Sequence, residues 1–178
     1  MKILALDPAL VSTGYVLYDK TNKEIEAIDS VKTKLSDSDE LLPKYIQRMK
    51  KTEMLIEELL FLFPAADIVV AEVPAGGKSA AALSSMLSIE AAIQAARLTA
   101  DTIRGYPLLY KPIPASSIKT AVFGQATGIR KKEVVEKMIH IFGDFRTLMG
   151  NADKRSIEDC ADALAVLYFY LNFKLTLK

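Results

Sequence analysis

Apolar residues run unbroken from Ile3 to Leu6 and stop at Asp7 and Pro8, which predicts a buried strand over Lys2 to Leu6. Gly14 to Asp19 and Glu24 to Thr33 have the same extended character. The turn-formers Asp19, Lys20, Thr21 and Asn22 separate them, so the first three strands are expected to be antiparallel neighbours. After the polar segment Ser36 to Glu40, Leu41, Leu42, Tyr45, Ile46, Met49, Met54, Leu55 and Leu59 recur near helical spacing until Pro64. Pro43 fits only a first turn, so this helix is expected to begin close to it. Ile68 to Val73 is a compact β-branched run, read as a buried strand whose end, with Glu72 and Pro74, emerges at an edge of the sheet. Gly76 and Gly77 precede an Ala-rich helix over about Lys78 to Ile103, and a fifth strand is expected over Leu108 to Ile113. Helical pieces over Ser116 to Phe123, Arg130 to Phe142 and Ser156 to about Phe173 complete the chain.

This order implies an α/β fold: a mixed five-stranded sheet, three strands antiparallel and two parallel, flanked by helices. Pro112, Pro114 and the Gly124 to Gly128 segment are read as loops, not as a domain boundary, so residues 1–178 are expected to form one domain.

Composition narrows the chemistry. The chain has 178 residues, 51% of them hydrophobic, and 23 basic against 22 acidic side chains. That is enough apolar mass for a real core and excludes a disordered chain. The single cysteine, Cys160, excludes an intrachain disulfide framework, and with one histidine, His140, the usual Cys/His zinc sites cannot be assembled. The apolar run at the N-terminus is too short for a signal-peptide core, and no apolar stretch spans a bilayer without charges. A protein free of membranes in a reducing cytoplasm, that of a bacterial cell or of a virus's host, is the expectation. Near-neutral charge argues against a general nucleic-acid coat, yet Thr102 to Lys132 carries Arg104, Lys111, Lys119, Arg130, Lys131 and Lys132 and no acid.

The carboxylates carry the sharper signal. Asp7 ends the first strand, Glu72 nearly ends the fourth, and Asp159 and Asp162 lie three apart on the last helix, where such residues share a face. If the first and fourth strands are neighbours, all four side chains can converge. Like charges a few ångströms apart raise one another's pKa or demand a cation, and oxygen-only ligands in an open site suit Mg²⁺ or Mn²⁺. Two such ions about 3.5–4 Å apart serve in-line phosphoryl displacement, which is nuclease chemistry. Each acid also has a plainer role: Asp7 as a turn residue before Pro8, Asp162 as a solvated charge, and Asp159 as partner of Ser156 in a capping box. Glu72 is hardest to explain that way, since it directly follows the apolar run Ile68 to Ala71.

At these residues the chain resembles the RuvC-type Holliday junction resolvases of the retroviral integrase and ribonuclease H superfamily. The matching segments are ILALDPALVSTGY (Ile3 to Tyr15), IVVAEVP (Ile68 to Pro74) and EDCADALAVLY (Glu158 to Tyr168). The resemblance implies a ribonuclease H-like fold, with Asp7, Glu72, Asp159 and Asp162 as metal-binding acids for two Mg²⁺ ions, Mn²⁺ substituting. Glu158 is four residues from Asp162 and competes with Asp159 for that place. The segment IKTAVFGQATGIRKKEVV (Ile118 to Val135) resembles the family's basic segment, with Lys119 and Lys131 matching the lysines near the scissile phosphate. The implied activity is a crossover junction endodeoxyribonuclease that cuts four-way DNA symmetrically as a homodimer, in recombination and repair. The chain departs from the pattern in one place: the family carries an aromatic residue shortly after its second acid, where this chain has Val73, Pro74 and Ala75.

Arg130, Lys131 and Lys132 at a helix start, and Lys78 and Ser79 at another, are candidate DNA-backbone contacts. Two other readings compete. A RuvC-like nuclease acting on flaps, forks or RNA has the same acids. A P-loop using Gly76 to Ser79 would need a glycine where Glu72 stands, and a carboxylate there repels phosphate. His140 is expected at the surface and Cys160 in helix packing. The Ala-rich helix, with Ala81, Leu83, Met86, Leu87 and Ile89, is a candidate dimer face, with buried core as the alternative.

Overall fold

The computed structural model describes residues 1–73 and 79–173. Five strands, β1 (Lys2–Asp7), β2 (Ser12–Asp19), β3 (Glu24–Lys32), β4 (Ile68–Val73) and β5 (Leu109–Pro114), form one sheet in the order β3-β2-β1-β4-β5. The first three are joined by short connections and pair antiparallel, whereas β4 and β5 return through helices and pair parallel. This is the expected five-stranded mixed sheet. The helices are α1 (Asp37–Glu40), α2 (Lys44–Leu62), α3 (Ala80–Arg104), α4 (Ala115–Phe123), α5 (Lys131–Phe142) and α6 (Lys154–Asn172).

The unbroken apolar runs of β1 and β4 are explained by burial on both faces of the sheet. Ile3, Ala5, Ile68 and Val70 pack with α4, α5 and α6, while Leu4, Leu6, Val69 and Ala71 pack with α2 and α3. Residues alternate between these layers with a period of two. α6 is apolar around most of its girth and supplies Cys160, Ala161, Leu164 and Leu167 to the first layer, as a helix in the middle of a core must.

Three local expectations change. Pro112 and Pro114 lie within β5 instead of marking loops, because β5 is an edge strand whose outer side needs no N–H donors. The polar segment after β3 contains a single helical turn, α1, capped by the Ser36 side chain. α6 begins two residues early: its N-cap is Asp153, whose Oδ1 accepts from Ser156 N at 2.9 Å and Ser156 Oγ at 3.0 Å. Ser156 therefore receives the cap, and the Ser156/Asp159 capping box does not form. Among the described residues, no helix is long and apolar enough to cross a membrane.

Candidate nuclease site

Strand periodicity and register set the first two acids. Asp7 continues the Ile3, Ala5 row and Glu72 the Ile68, Val70 row, so both fall on the face of the sheet covered by α6. Leu6 is in register with Ala71 across the parallel pair, which places Asp7 and Glu72 one step further along adjacent strands. Each side chain thus ends a buried row where the sheet gives way to solvent, and each remains only partly exposed.

The helix that supplies the other acids is held close by a glycine. Gly14 is the antiparallel partner of Asp7, and a Cβ at position 14 would stand 2.0 Å from the Asp159 carbonyl oxygen. Only a residue without a side chain lets the α6 backbone approach this part of the sheet. Asp159 and Asp162, three apart, then face the sheet end from α6.

Asp7, Glu72 and Asp162 line a single cavity of about 190 Å³ with Lys119 of α4 and Lys131 of α5, above Ile129 and Val134. It is smaller than an apolar groove of about 480 Å³ lined in part by Tyr45, Met49 and Leu87. Chemistry, not size, singles it out. Asp159 does not line the cavity; it is buried, and its Oδ2 has no hydrogen-bond partner among the described residues. Arg155 Nε, 4.0 Å from that oxygen, is too far to donate to it.

The electrostatics are those of a crowded acid cluster. Burial, then the charges of Asp162 and Glu72, hold the Asp7 carboxyl well above the usual carboxylate range, against the opposing pull of Lys131. Burial and Asp162 raise Glu72, with Lys119 and Lys131 opposing. Burial also raises Asp162, although Lys131 Nζ donates directly to its Oδ2. The same burial draws Lys131 down, but Asp162, Asp7 and Asp159 outweigh it and leave the ammonium above its ordinary value. Carboxyl and ammonium of one ion pair both shift upward because loss of water dominates the former and surrounding negative charge the latter. Lys131 thus stands as the counter-cation among carboxylates.

Among the described residues, no three His, Cys, Asp or Glu side chains are grouped, as they stand, to hold one metal ion. The donor set nevertheless fits a hard divalent cation: oxygen ligands only, one buried carboxylate oxygen unpartnered, and mutual repulsion that a cation relieves.

The remaining sequence candidates are dispersed. Arg130 caps α5 and is exposed, and its N–H lies 3.4 Å from Glu133 Oε2, so that carboxylate folds back over the helix start and competes with any phosphate there. Lys132 is a solvated side chain with Nζ 3.5 Å from Glu136. Glu158 lies 3.7 Å from Lys154 in a similar pair and does not line the cavity. Ser79 Oγ caps α3 by accepting from Ala82 N at 3.2 Å, while Lys78, like Gly76 and Gly77 of the P-loop reading and Pro74 and Ala75 after the second acid, lies outside the described residues. His140 is exposed and Cys160 buried. On α3, Ile89 belongs to the core, while Leu83 and Leu87 are exposed. The contact of Gly14 with Asp159 escaped sequence reasoning; its only trace was a glycine inside a strand.

No family model matches the chain. Among curated proteins it is similar to the crossover junction endodeoxyribonuclease RuvC of Orientia tsutsugamushi (strain Boryong), 27% identical over 168 residues that cover 94% of this chain and 93% of the relative. Among solved structures, Thermus thermophilus RuvC in complex with a Holliday junction substrate superposes with a TM-score of 0.65 at 16% identity, covering 97% of this chain and 94% of that one. A second T. thermophilus RuvC structure gives 0.58 at 17% identity over 97% and 96%. The yeast mitochondrial Holliday junction resolvase gives 0.57 at 11% identity over 92% and 75%. The resemblance carried by the three acidic motifs is borne out, and the fold is that of RuvC.

Proposed function

We propose that this chain is a RuvC-type endonuclease that hydrolyses phosphodiester bonds of four-way DNA junctions. The observation that carries the reading is the single cavity in which Asp7, Glu72 and Asp162 from three separate elements meet Lys119 and Lys131. Similarity to RuvC over nearly the whole chain supports the same assignment. Asp7, Glu72, Asp159 and Asp162 would hold Mg²⁺, with Mn²⁺ able to substitute and two ions in the site. Such ions would supply Lewis-acid polarisation of the phosphoryl oxygens and a more acidic water.

The protein's own residues orient and neutralise. Lys119 of α4 and Lys131 of α5 line the cavity with the acids and would bind the non-bridging oxygens of the scissile phosphate. Lys131 Nζ donates to Asp162 and, with three donors, would also reach a phosphate oxygen, bridging carboxylate and phosphate. Asp7 lines the same cavity and is only partly exposed, so a group bound beside it would be partly screened from bulk solvent.

Cuts in two strands of like polarity need two sites, so a two-fold homodimer is the simplest assembly. Leu87 of α3 with Tyr45 and Met49 of α2 line an exposed apolar groove suited to it. A reducing cytoplasm suits the free Cys160.

The test is incubation of purified protein and Mg²⁺ with labelled four-way, flap, fork and linear DNA. Paired symmetric nicks confined to the four-way species support the reading, together with loss of cutting but not of binding in Asp7→Asn. Cutting confined to flaps or forks assigns the related nuclease, and retained cutting by Asp7→Asn rejects the acid cluster as the site.

A further inference from the structure

On the other side of the acid cluster from Lys119 and Lys131, a second cavity of about 280 Å³ opens where the end of β3, the middle of α2 and the start of α6 meet. Its charged lining is Lys32, Lys34, Lys51 and Arg155 against one carboxylate, Glu40. Ser12 also lines it, is only 4% exposed, and its hydroxyl has no hydrogen-bond partner among the described residues. A buried hydroxyl without a partner costs free energy unless something arrives to accept from it. Among the described residues, Lys34 and Lys51 have no carboxylate within 4.0 Å, while Lys32 is paired with Asp153 and Arg155 Nε lies 4.0 Å from Asp159 Oδ2. Four cations around one space, with a spare donor beneath them, constitute an anion site.

Its place relative to the acids is fixed by register. Ser12 pairs with Lys32 and Gly14 with Asp7, so cavity and acid cluster share one end of the sheet. On α6, Arg155 precedes Asp162 by seven positions, about 10 Å at 1.5 Å per residue. We propose that this cavity holds a DNA backbone phosphate close to the bond that is cut, so that the acids lie between two basic banks. The inference rests on the nuclease reading of the acid cluster. Arg155 offers a planar fork and Ser12 a hydroxyl to the phosphate oxygens, and the lysines supply charge, a set that grips backbone without reading sequence. In the sequence these cations are scattered from position 32 to 155, so no local run of charge marks the site.

The experiment compares four-way junction affinity against salt for wild type, Lys34→Ala/Lys51→Ala, Lys34→Arg/Lys51→Arg, and a control pair, Lys20→Ala/Lys23→Asn, at the far end of the sheet, where Lys23 has a positive φ of 58°. The alanine pair is expected to bind roughly 10–60-fold more weakly at about 0.1 M salt, with a salt slope shallower by about two phosphate contacts. The arginine pair and the control should bind as wild type does. Wild-type affinity and slope in the alanine pair would overturn the proposal while leaving the nuclease reading intact. An equal loss in the control pair would overturn it as a mere effect of net charge. Failure of the wild type itself to bind or cut branched DNA would overturn both readings.

Discussion

Gly14 on β2 lies so close to Asp159 on α6 that a Cβ there would stand 2.0 Å from the Asp159 carbonyl oxygen and 2.4 Å from its carbon. The strand partner of Asp7 therefore doubles as the seat of the helix that brings Asp159 and Asp162 to it. Gly14→Ala must push α6 away from the sheet, since backbone atoms on both sides leave no rotamer to adjust. Overpacking of this kind costs about 1–3 kcal/mol or more. Thermal melts are expected to show a Tm lower by several degrees and, if α6 shifts, a smaller Tm gain on adding Mg²⁺. A variant with wild-type Tm would show that the contact does not position the helix.

Lys131 holds two jobs that one substitution separates. Without DNA or metal it neutralises Asp162, and with DNA it is assigned to a phosphate. Lys131→Ala should lower the Tm of metal-free protein at pH 8, because Asp7 and Asp162 lose the cation that most opposes their shifts and Glu72 loses one of two, and Mg²⁺ should restore more stability to it than to wild type. Its junction affinity should fall with a salt slope shallower by about one contact. Unchanged affinity and cutting rate would remove Lys131 from the site.

Much of this was legible in the chain itself. The five strands and the long helices follow from apolar runs and spacing, and the acids stand out because each interrupts or ends a buried row. What spacing cannot carry is proximity between elements remote in sequence. The Gly14 approach to α6, the Lys131 bond to Asp162 and the convergence of Lys32, Lys34, Lys51 and Arg155 all depend on how layers stack. Edge position likewise decided Pro112 and Pro114, which read locally as breakers but occupy the one side of β5 that needs no donors. At Asp153 the competing signal was close at hand: a cap three residues before Ser156 outbid Ser156 as a cap itself.

Cys160 sits beside Asp159 yet belongs to the core. Burial, with Asp29 and Asp159 adding to it, pushes its thiol up to about 12. A thiol is reactive only as thiolate, so native protein at pH 8 should react with a thiol-specific reagent far more slowly than unfolded protein does. Cys160→Ala should retain junction cutting. Rapid labelling of the native protein, or loss of cutting with the fold intact, would place the sulfur in the chemistry.

The acid cluster makes a linked prediction about pH and metal. Asp7 has a folded-state pKa well above its ordinary 3.8, mainly from burial and then from Asp162 and Glu72, so the folded chain binds this proton more tightly than the unfolded chain. Its contribution to stability is therefore fully present below the unfolded value and is lost as pH rises through the raised folded value. Glu72 and Asp162 shift in the same direction and add to the loss. Metal-free wild type at pH 8 thus carries ionised carboxylates that repel one another, and a divalent cation should raise its Tm most at that pH and progressively less on acidification. Asp7→Asn removes one charge while nearly keeping the shape. Without metal at pH 8 it should melt above wild type, by about 2–4 °C for each kcal/mol relieved, and its gain from Mg²⁺ should be largely lost. Melting curves at pH 8 and at mildly acidic pH, with Mg²⁺ or a chelator, check both signs. If Asp7→Asn melts below wild type in the chelator, or keeps the full Mg²⁺ gain, the carboxylates are not the strained, cation-seeking cluster on which the assignment of this site depends.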